Sequence, residues 1–226
     1  MSSKKNNAAK KRIVMVDDHP MMRQGLAALI HNEPDLEVVG EAENCAQALD
    51  LVKKLKPDLL LADITLPDKN GLELIKDIQA LGGNGPQVLV ISMHDEALYV
   101  ERVLRAGGRG FIMKQEGGKK LMAAIRQVLS GQIYVSEKMS SKILEIFSGR
   151  RLDAESSPVE QLTDREFEVF QLIGKGLTTL QMANELHVST KTVEVHRANI
   201  KAKLNMKTAP ELLRYAVRWA ESQTGS

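Results

Sequence analysis

The chain has 226 residues, 43% hydrophobic and 27% charged, which suits one or two ordinary cores and excludes disorder throughout. A formal net charge of +2 is too small to announce a polyanion-binding protein, so any nucleic-acid reading must rest on local charge. The single cysteine, Cys45, excludes an internal disulfide and a cysteine-built metal site, and no apolar run approaches the roughly 20 residues that span a bilayer.

Residues 1–10 form a basic, polar tail that leads straight into a strand-like run. It lacks the apolar stretch and cleavage site of a signal peptide, so a cytoplasmic protein is expected. From Arg12 onward five short apolar runs follow one another: RIVMVDD, LEVVGEA from Leu36, DLLLAD from Asp58, QVLVIS from Gln87 and GFIMK from Gly110. They are apolar almost throughout, the pattern of strands covered on both faces of a parallel sheet. Between and after them, Met21 to Ile30, Ala46 to Leu55, Leu72 to Ile78, Leu98 to Leu104 and Leu121 to Leu129 carry apolar residues three and four apart, as helices do. Five strand-helix units in succession predict an α/β doubly wound, five-stranded parallel sheet, with ligands outside the carboxyl ends of its strands.

That topology gives particular polar residues a shared address. Asp17 and Asp18 end the first strand, Asp63 the third, Ser92 the fourth and Lys114 the fifth, so the carboxyl edge should hold three carboxylates, a hydroxyl and an ammonium. Three close carboxylates repel one another, and a divalent cation relieves this; an oxygen ligand set favours Mg²⁺. With cation and ammonium neutralising a phosphoryl group, one carboxylate is left to attack as nucleophile, and Asp63 on the central strand is best placed. His19 and Pro20 read as the start of the first helix.

After Leu129 the alternation stops. A short helix around SEKMSSKILEIFSG and a polar hinge near 148–160 make 131–160 a linker. From Leu162 the pattern is purely helical, giving a small all-α domain over 161–226. Thr163 with Glu166, Thr178 with Gln181 and Thr208 with Glu211 have capping-box spacing, and Ser189 is placed to cap a further helix. A helix over about Thr179 to Leu186, a turn at His187 and Val188 and a second helix have helix-turn-helix spacing. Val193, Ile200 and Leu204 mark the second helix's buried stripe; Lys191, Arg197, Lys201 and Lys203 make its other face basic, opposed only by Glu194. The final helix, from Ala209 to about Ser222, carries an apolar stripe fit for the core, a dimer or both.

The segments VMVDDHPMMRQGL, LADITLPDKNG, VISMHDE and AGGRGFIMK resemble the receiver domains of bacterial two-component systems over about residues 11–130. The resemblance implies phosphorylation of Asp63, and Mg²⁺ held by Asp18, Asp63 and the backbone carbonyl of Thr65, with Asp17 acting through water. It further implies phosphoryl contacts from Ser92 and Lys114 and a switch role for the aromatic Phe111. The segments LTDREFEVFQLIGKGL and MANELHVSTKTVEVHRANIKAKLN are similar to the LuxR-type DNA-binding domain across about residues 160–222, which makes the whole chain resemble a NarL/FixJ-type response regulator. By that resemblance Glu194, Val195 and Ala198 read bases, while Lys191, Thr192, His196 and Arg197 lie nearer the DNA backbone; Lys201 adds charge. The implied partners are double-stranded DNA, a sensor histidine kinase and, on phosphorylation, a second copy as a homodimer. A transcription regulator rather than an enzyme is expected; a phosphorylation-independent regulator of the same build and an aspartyl-phosphate phosphatase are the alternatives. The segment TTLQM before Ala183 departs from the Ser-Asn-Lys-Glu-Ile common in the family, so the resemblance does not carry phosphate contacts over to the start of that helix.

Overall fold

The computed structural model describes residues 9–83, 85–141 and 158–224. Two compact units divide the chain, Met1–Ser136 and Glu137–Ser226. The tail expected over 1–10 lies outside the described residues except for its last two positions. Of the hinge expected near 148–160 only 158–160 fall within them, as part of a 3₁₀ turn, and most of the short helix before it lies outside.

The first unit alternates β1 (Lys11–Val16), α1 (Pro20–His31), β2 (Leu36–Ala42), α2 (Cys45–Leu55), β3 (Leu59–Ala62), α3 (Gly71–Gln79), β4 (Gln87–Ser92), α4 (Glu96–Arg105), β5 (Gly110–Met113) and α5 (Gly118–Leu129). The strands form one parallel sheet in the order β2-β1-β3-β4-β5. Complete burial of Leu59, Leu60, Leu61 and Ala62 accounts for the unbroken apolar sequence of the central strand.

The sequence expectation of strands covered on both faces fails at β2, where Glu37 to Gly40 are only half-buried. Its place at the edge of the sheet explains this. At the other edge, Tyr134 bridges to Gly110 and its carbonyl accepts the Phe111 amide at 3.0 Å, so backbone groups of β5 are partly closed off.

Register brings the strand ends level: Val16 pairs with Ala62, Ala62 with Val90, and Ser92 with Met113. The Asp63 amide continues the ladder to the Val16 carbonyl at 2.9 Å, and the Lys114 amide to the Ser92 carbonyl at 2.8 Å. At the start of α3, Gly71 passes so close that a Cβ would stand 2.2 Å from the Asp63 carbonyl oxygen. Only glycine lets that helix close over the end of β3.

The second unit has a 3₁₀ turn (Pro158–Gln161), α6 (Asp164–Gly174), α7 (Thr179–Glu185), α8 (Thr190–Lys203) and α9 (Ala209–Thr224). Its helices start where local chemistry places them. Thr163 and Thr178 each close a full capping box, Ser189 accepts the Thr192 amide, and Thr208 and Glu211 bond reciprocally. Between α7 and α8, His187 takes φ 51°, the left-handed step that reverses the chain in so short a turn. The core is aromatic: Phe167 and Phe170 meet Trp219 edge-on at 5.6 and 5.4 Å, and Phe170 lies 5.9 Å from Tyr215. Met182, Val193, Ile200, Leu212 and Ala216 complete it; Leu204, expected in the buried stripe, is only half-buried.

Candidate functional site

At the carboxyl edge of the sheet, Asp17, Asp63 and Ser92 are buried, at 1%, 4% and 0% exposure, while Asp18 is half-buried. Lys114 reaches in from β5 with its Nζ 2.7 Å from Asp17 Oδ2 and 2.7 Å from Asp63 Oδ2. The Ile64 amide donates to Asp63 Oδ1 at 2.7 Å. Burial pushes the Asp63 carboxyl up to about 6, against the opposing pull of Lys114. At Lys114 burial works to lower the pKa, but the two carboxylates together overcome it and the ammonium is raised. Asp63 is thus more basic than an ordinary aspartate.

Three carboxylates around one ammonium leave an excess of negative charge in a largely dry place. Ligand atoms of Asp17, Asp18, His19 and Asp63 lie within 4.8 Å of one another. Three hard oxygen donors so grouped fit a small divalent cation such as Mg²⁺. His19, placed only as a helix start by the sequence, does begin α1 with Pro20, but its ring also stands 2.6 Å from Asp18 and 3.2 Å from Asp17.

Two further residues were missed. Buried Arg23 donates to the Asp17 carbonyl at 2.5 Å and to Glu43 at 2.6 Å, fixing the loop that carries the acidic pair. His94 Nε2 lies 2.9 Å from Thr65 Oγ1, its amide donates to Ser92 Oγ at 3.2 Å, and its ring stacks 4.9 Å from Tyr99, tying together the loops after β3 and β4. Phe111 is buried at 1% in β5.

In the second unit the residues expected at DNA fall into different environments. Lys191 and Ala198 are exposed, Val195 is 52% exposed, and Lys201 is half-buried. Thr192 is engaged in the cap of α8, bonded to Ser189 through amide and hydroxyl. His196 is half-buried, and its loss of solvent together with nearby Arg165 holds the imidazole pKa below its usual value. Arg197 donates to Thr179 at 2.8 Å, and the Thr179 hydroxyl donates to Glu194 at 2.8 Å.

Lys203 departs from the expectation of a freely available basic face. Its ammonium is 2.6 Å from Glu166, whose side chain is buried and also accepts the Thr163 amide at 2.8 Å. Lys203 therefore serves the fold. Lys203→Met should cost the second unit roughly 1–3 kcal/mol at pH 7 by leaving a buried carboxylate short of a partner. These bonds lower the Glu166 pKa, so the stability is present above the ordinary carboxylate range and lost as pH falls through the depressed value. The Lys203→Met deficit in urea melts should accordingly be large at pH 7 and shrink below pH 4; an equal deficit at both would separate Lys203 from Glu166.

The chain matches the response regulator receiver domain over residues 13–126 and the luxR family of bacterial regulatory proteins over 160–216. It is 34% identical over 212 residues to oxygen regulatory protein NreC of Staphylococcus carnosus, covering 92% of this chain and 97% of that protein. To NreC of Staphylococcus aureus it is 36% identical over 211 residues, with the same coverage. Among solved structures it is similar to RcsB from Salmonella enterica serovar Typhimurium bound to promoter rprA in the presence of phosphomimetic BeF3⁻. There the identity is 25%, the TM-score 0.59, and the match covers 92% of this chain and 98% of that one. A LuxR-family two-component response regulator from Aurantimonas is 31% identical with a TM-score of 0.57, covering 62% and 99%.

Proposed function

The chain belongs to the response regulators that join a receiver to a LuxR-type DNA-binding domain, and on that premise we propose that Asp63 is the phosphoryl acceptor and that its phosphorylation governs DNA binding by α8. One observation carries the reading: Lys114 is held within 2.7 Å of both Asp17 and Asp63 at level strand ends. On this reading residues 11–130 are the receiver, 131–160 the linker and 161–226 the DNA-binding domain, in a protein that works in the cytoplasm.

A carboxylate oxygen of Asp63 attacks phosphorus, the bond from phosphorus to the imidazole of a histidine-kinase donor breaks, and the proton needed by the departing imidazole comes from solvent. Lys114, already beside Asp63, takes a phosphoryl oxygen as the new charge arrives, and buried Ser92 offers a hydroxyl. Mg²⁺, when bound, supplies further charge neutralisation, and Asp17, Asp18, Asp63 and the Thr65 carbonyl would hold it. Phe111 serves as the aromatic reporter of that charge on β5. Phosphorylation favours a homodimer whose two DNA-binding domains engage double-stranded DNA together.

On α8, Glu194, Val195 and Ala198 face bases; Lys191, Thr192, His196 and Arg197 lie toward the phosphate backbone, with Lys201 along the same helix. Among the described residues Lys191 and Lys201 have no ion pair, so their charge is available to phosphates. Lys191→Ala and Lys201→Ala should each weaken binding of all sequences alike and reduce the steepness of its salt dependence by about one phosphate contact. Unchanged affinity and salt slope in both would move the DNA face elsewhere.

The coupling is read by a DNA titration at fixed salt with sedimentation in parallel. Phosphorylated protein should bind tighter and sediment as a dimer. If phosphorylation alters neither affinity nor mass, control by Asp63 is wrong and a phosphorylation-independent regulator is the reading that remains.

A further inference from the structure

One hydroxyl joins the two helices of the helix-turn-helix on the side proposed to meet DNA. Thr179 is the first residue of α7, and Glu194 and Arg197 stand one turn apart on α8. Thr179 Oγ1 donates to Glu194 Oε1 at 2.8 Å and accepts from Arg197 Nη1 at 2.8 Å, while the carboxylate and guanidinium are themselves 3.8 Å apart. A hydroxyl is both donor and acceptor, so this single oxygen serves an anion and a cation at once. Its own position is set by the capping box of Thr178 and Gln181, which flank it.

The Glu194 side chain is 60% exposed. A glutamate that open to water ordinarily samples several rotamers, and an acceptor that wanders discriminates poorly among bases. Held through Thr179 and balanced by Arg197, the Glu194 carboxylate keeps one orientation before DNA arrives, as a reading group supported from behind should. In the major groove a fixed acceptor selects a base that offers a donor, the cytosine N4 amine or the adenine N6 amine, and disfavours edges that offer only acceptors. The same bonds withdraw part of Arg197's capacity from phosphates and give it a second duty between the helices.

We infer that Thr179 is a specificity-positioning residue: through its hydroxyl it fixes Glu194 and Arg197 and thereby sets the preference for one base pair of the operator. The inference rests on the reading above that Glu194 faces bases. Its test is selection of bound duplexes from a randomised pool by the full-length protein and its Thr179→Val, Thr179→Ser, Glu194→Gln and Thr179→Val/Glu194→Gln variants. Glu194→Gln should change the preference at one base pair. Thr179→Val, which keeps the shape and loses the hydroxyl, should relax that same base pair by about fivefold to tenfold. Thr179→Ser should restore it, and the double variant should relax it no further than Glu194→Gln alone.

In Thr179→Val the thermal transition of the second unit should stay as in the wild type, and the loss of preference should be confined to that base pair. If Thr179→Val leaves the preference intact while Glu194→Gln changes it, Thr179 has no positioning role and Glu194 still reads bases. If Glu194→Gln changes no base pair, both the inference and the base-reading role of Glu194 fall. A Thr179→Val protein that melts earlier and loses preference evenly at all positions would also overturn the inference, since Thr179 would then serve only the fold.

Discussion

Incubated with Mg²⁺ and acetyl phosphate, the protein should gain a single phosphoryl group, and Asp63→Asn should reduce that gain to background. The wild-type reaction draws on a carboxylate that burial makes more basic and on an ammonium already 2.7 Å away. Asparagine keeps the size of the side chain and an oxygen for the Ile64 amide, so the loop after β3 should hold its course. What disappears is the nucleophilic charge. Lys114 retains Asp17, at 2.7 Å, so the ammonium is not stranded by the change. Intact mass of both proteins after the same exposure, with thermal melting as a check on folding, reads the result. Equal labelling of wild type and Asp63→Asn would take the acceptor role from Asp63, and a folded wild type that never labels would favour the phosphorylation-independent alternative.

The largest effect on stability should come from Phe170→Ala in the second unit. Phe170 is fully buried and touches Tyr215 and Trp219, so truncation removes a ring at the centre of the α6–α9 packing. Phe→Ala changes of this kind cost roughly 3–5 kcal/mol, against total stabilities of about 5–15 kcal/mol for whole domains. A small helical unit stands at the lower end of that range, so much of it should unfold and DNA binding should fall with it. Trp219 is the only tryptophan, so its fluorescence reports this unit and not the sheet. Phosphorylation of Asp63 should be untouched. A shift of less than about 1 kcal/mol in the urea transition followed by Trp219 would mean that the aromatic cluster is not the keystone of the core.

The two sites differ in how much of them sequence alone determined. The carboxyl edge was legible because parallel pairing obeys a rule: whatever ends a strand lands beside whatever ends its neighbour, however far apart they are in the chain. Asp17, Asp63, Ser92 and Lys114 needed only the strand pattern to be brought together, and the strand register leaves them level. The starts of α6, α7 and α8 were legible for a different reason. A cap is a bond between residues three apart, so Thr163 with Glu166 and Thr178 with Gln181 carry their partners with them in sequence.

Tertiary structure alone decided the rest, because charge on a helix says nothing of what crosses it. Lys203 and Arg197 look equivalent in the run from Lys191 to Lys203. Yet one is bonded to Glu166, 37 residues away, and the other to Thr179, 18 residues away. No helical period encodes those separations. The same holds for Thr65 and His94, 29 residues apart on neighbouring loops, and for Arg23 beneath Asp17. Exposure of β2 likewise depended on which strand became the edge, since five apolar segments look alike until pairing orders them. Residue spacing therefore determined the chain's elements, its helix caps and the carboxylates of its pocket. The packing of those elements decided which basic side chains are bonded within the fold and which stay open, because that depends on distances between elements that a local pattern does not contain.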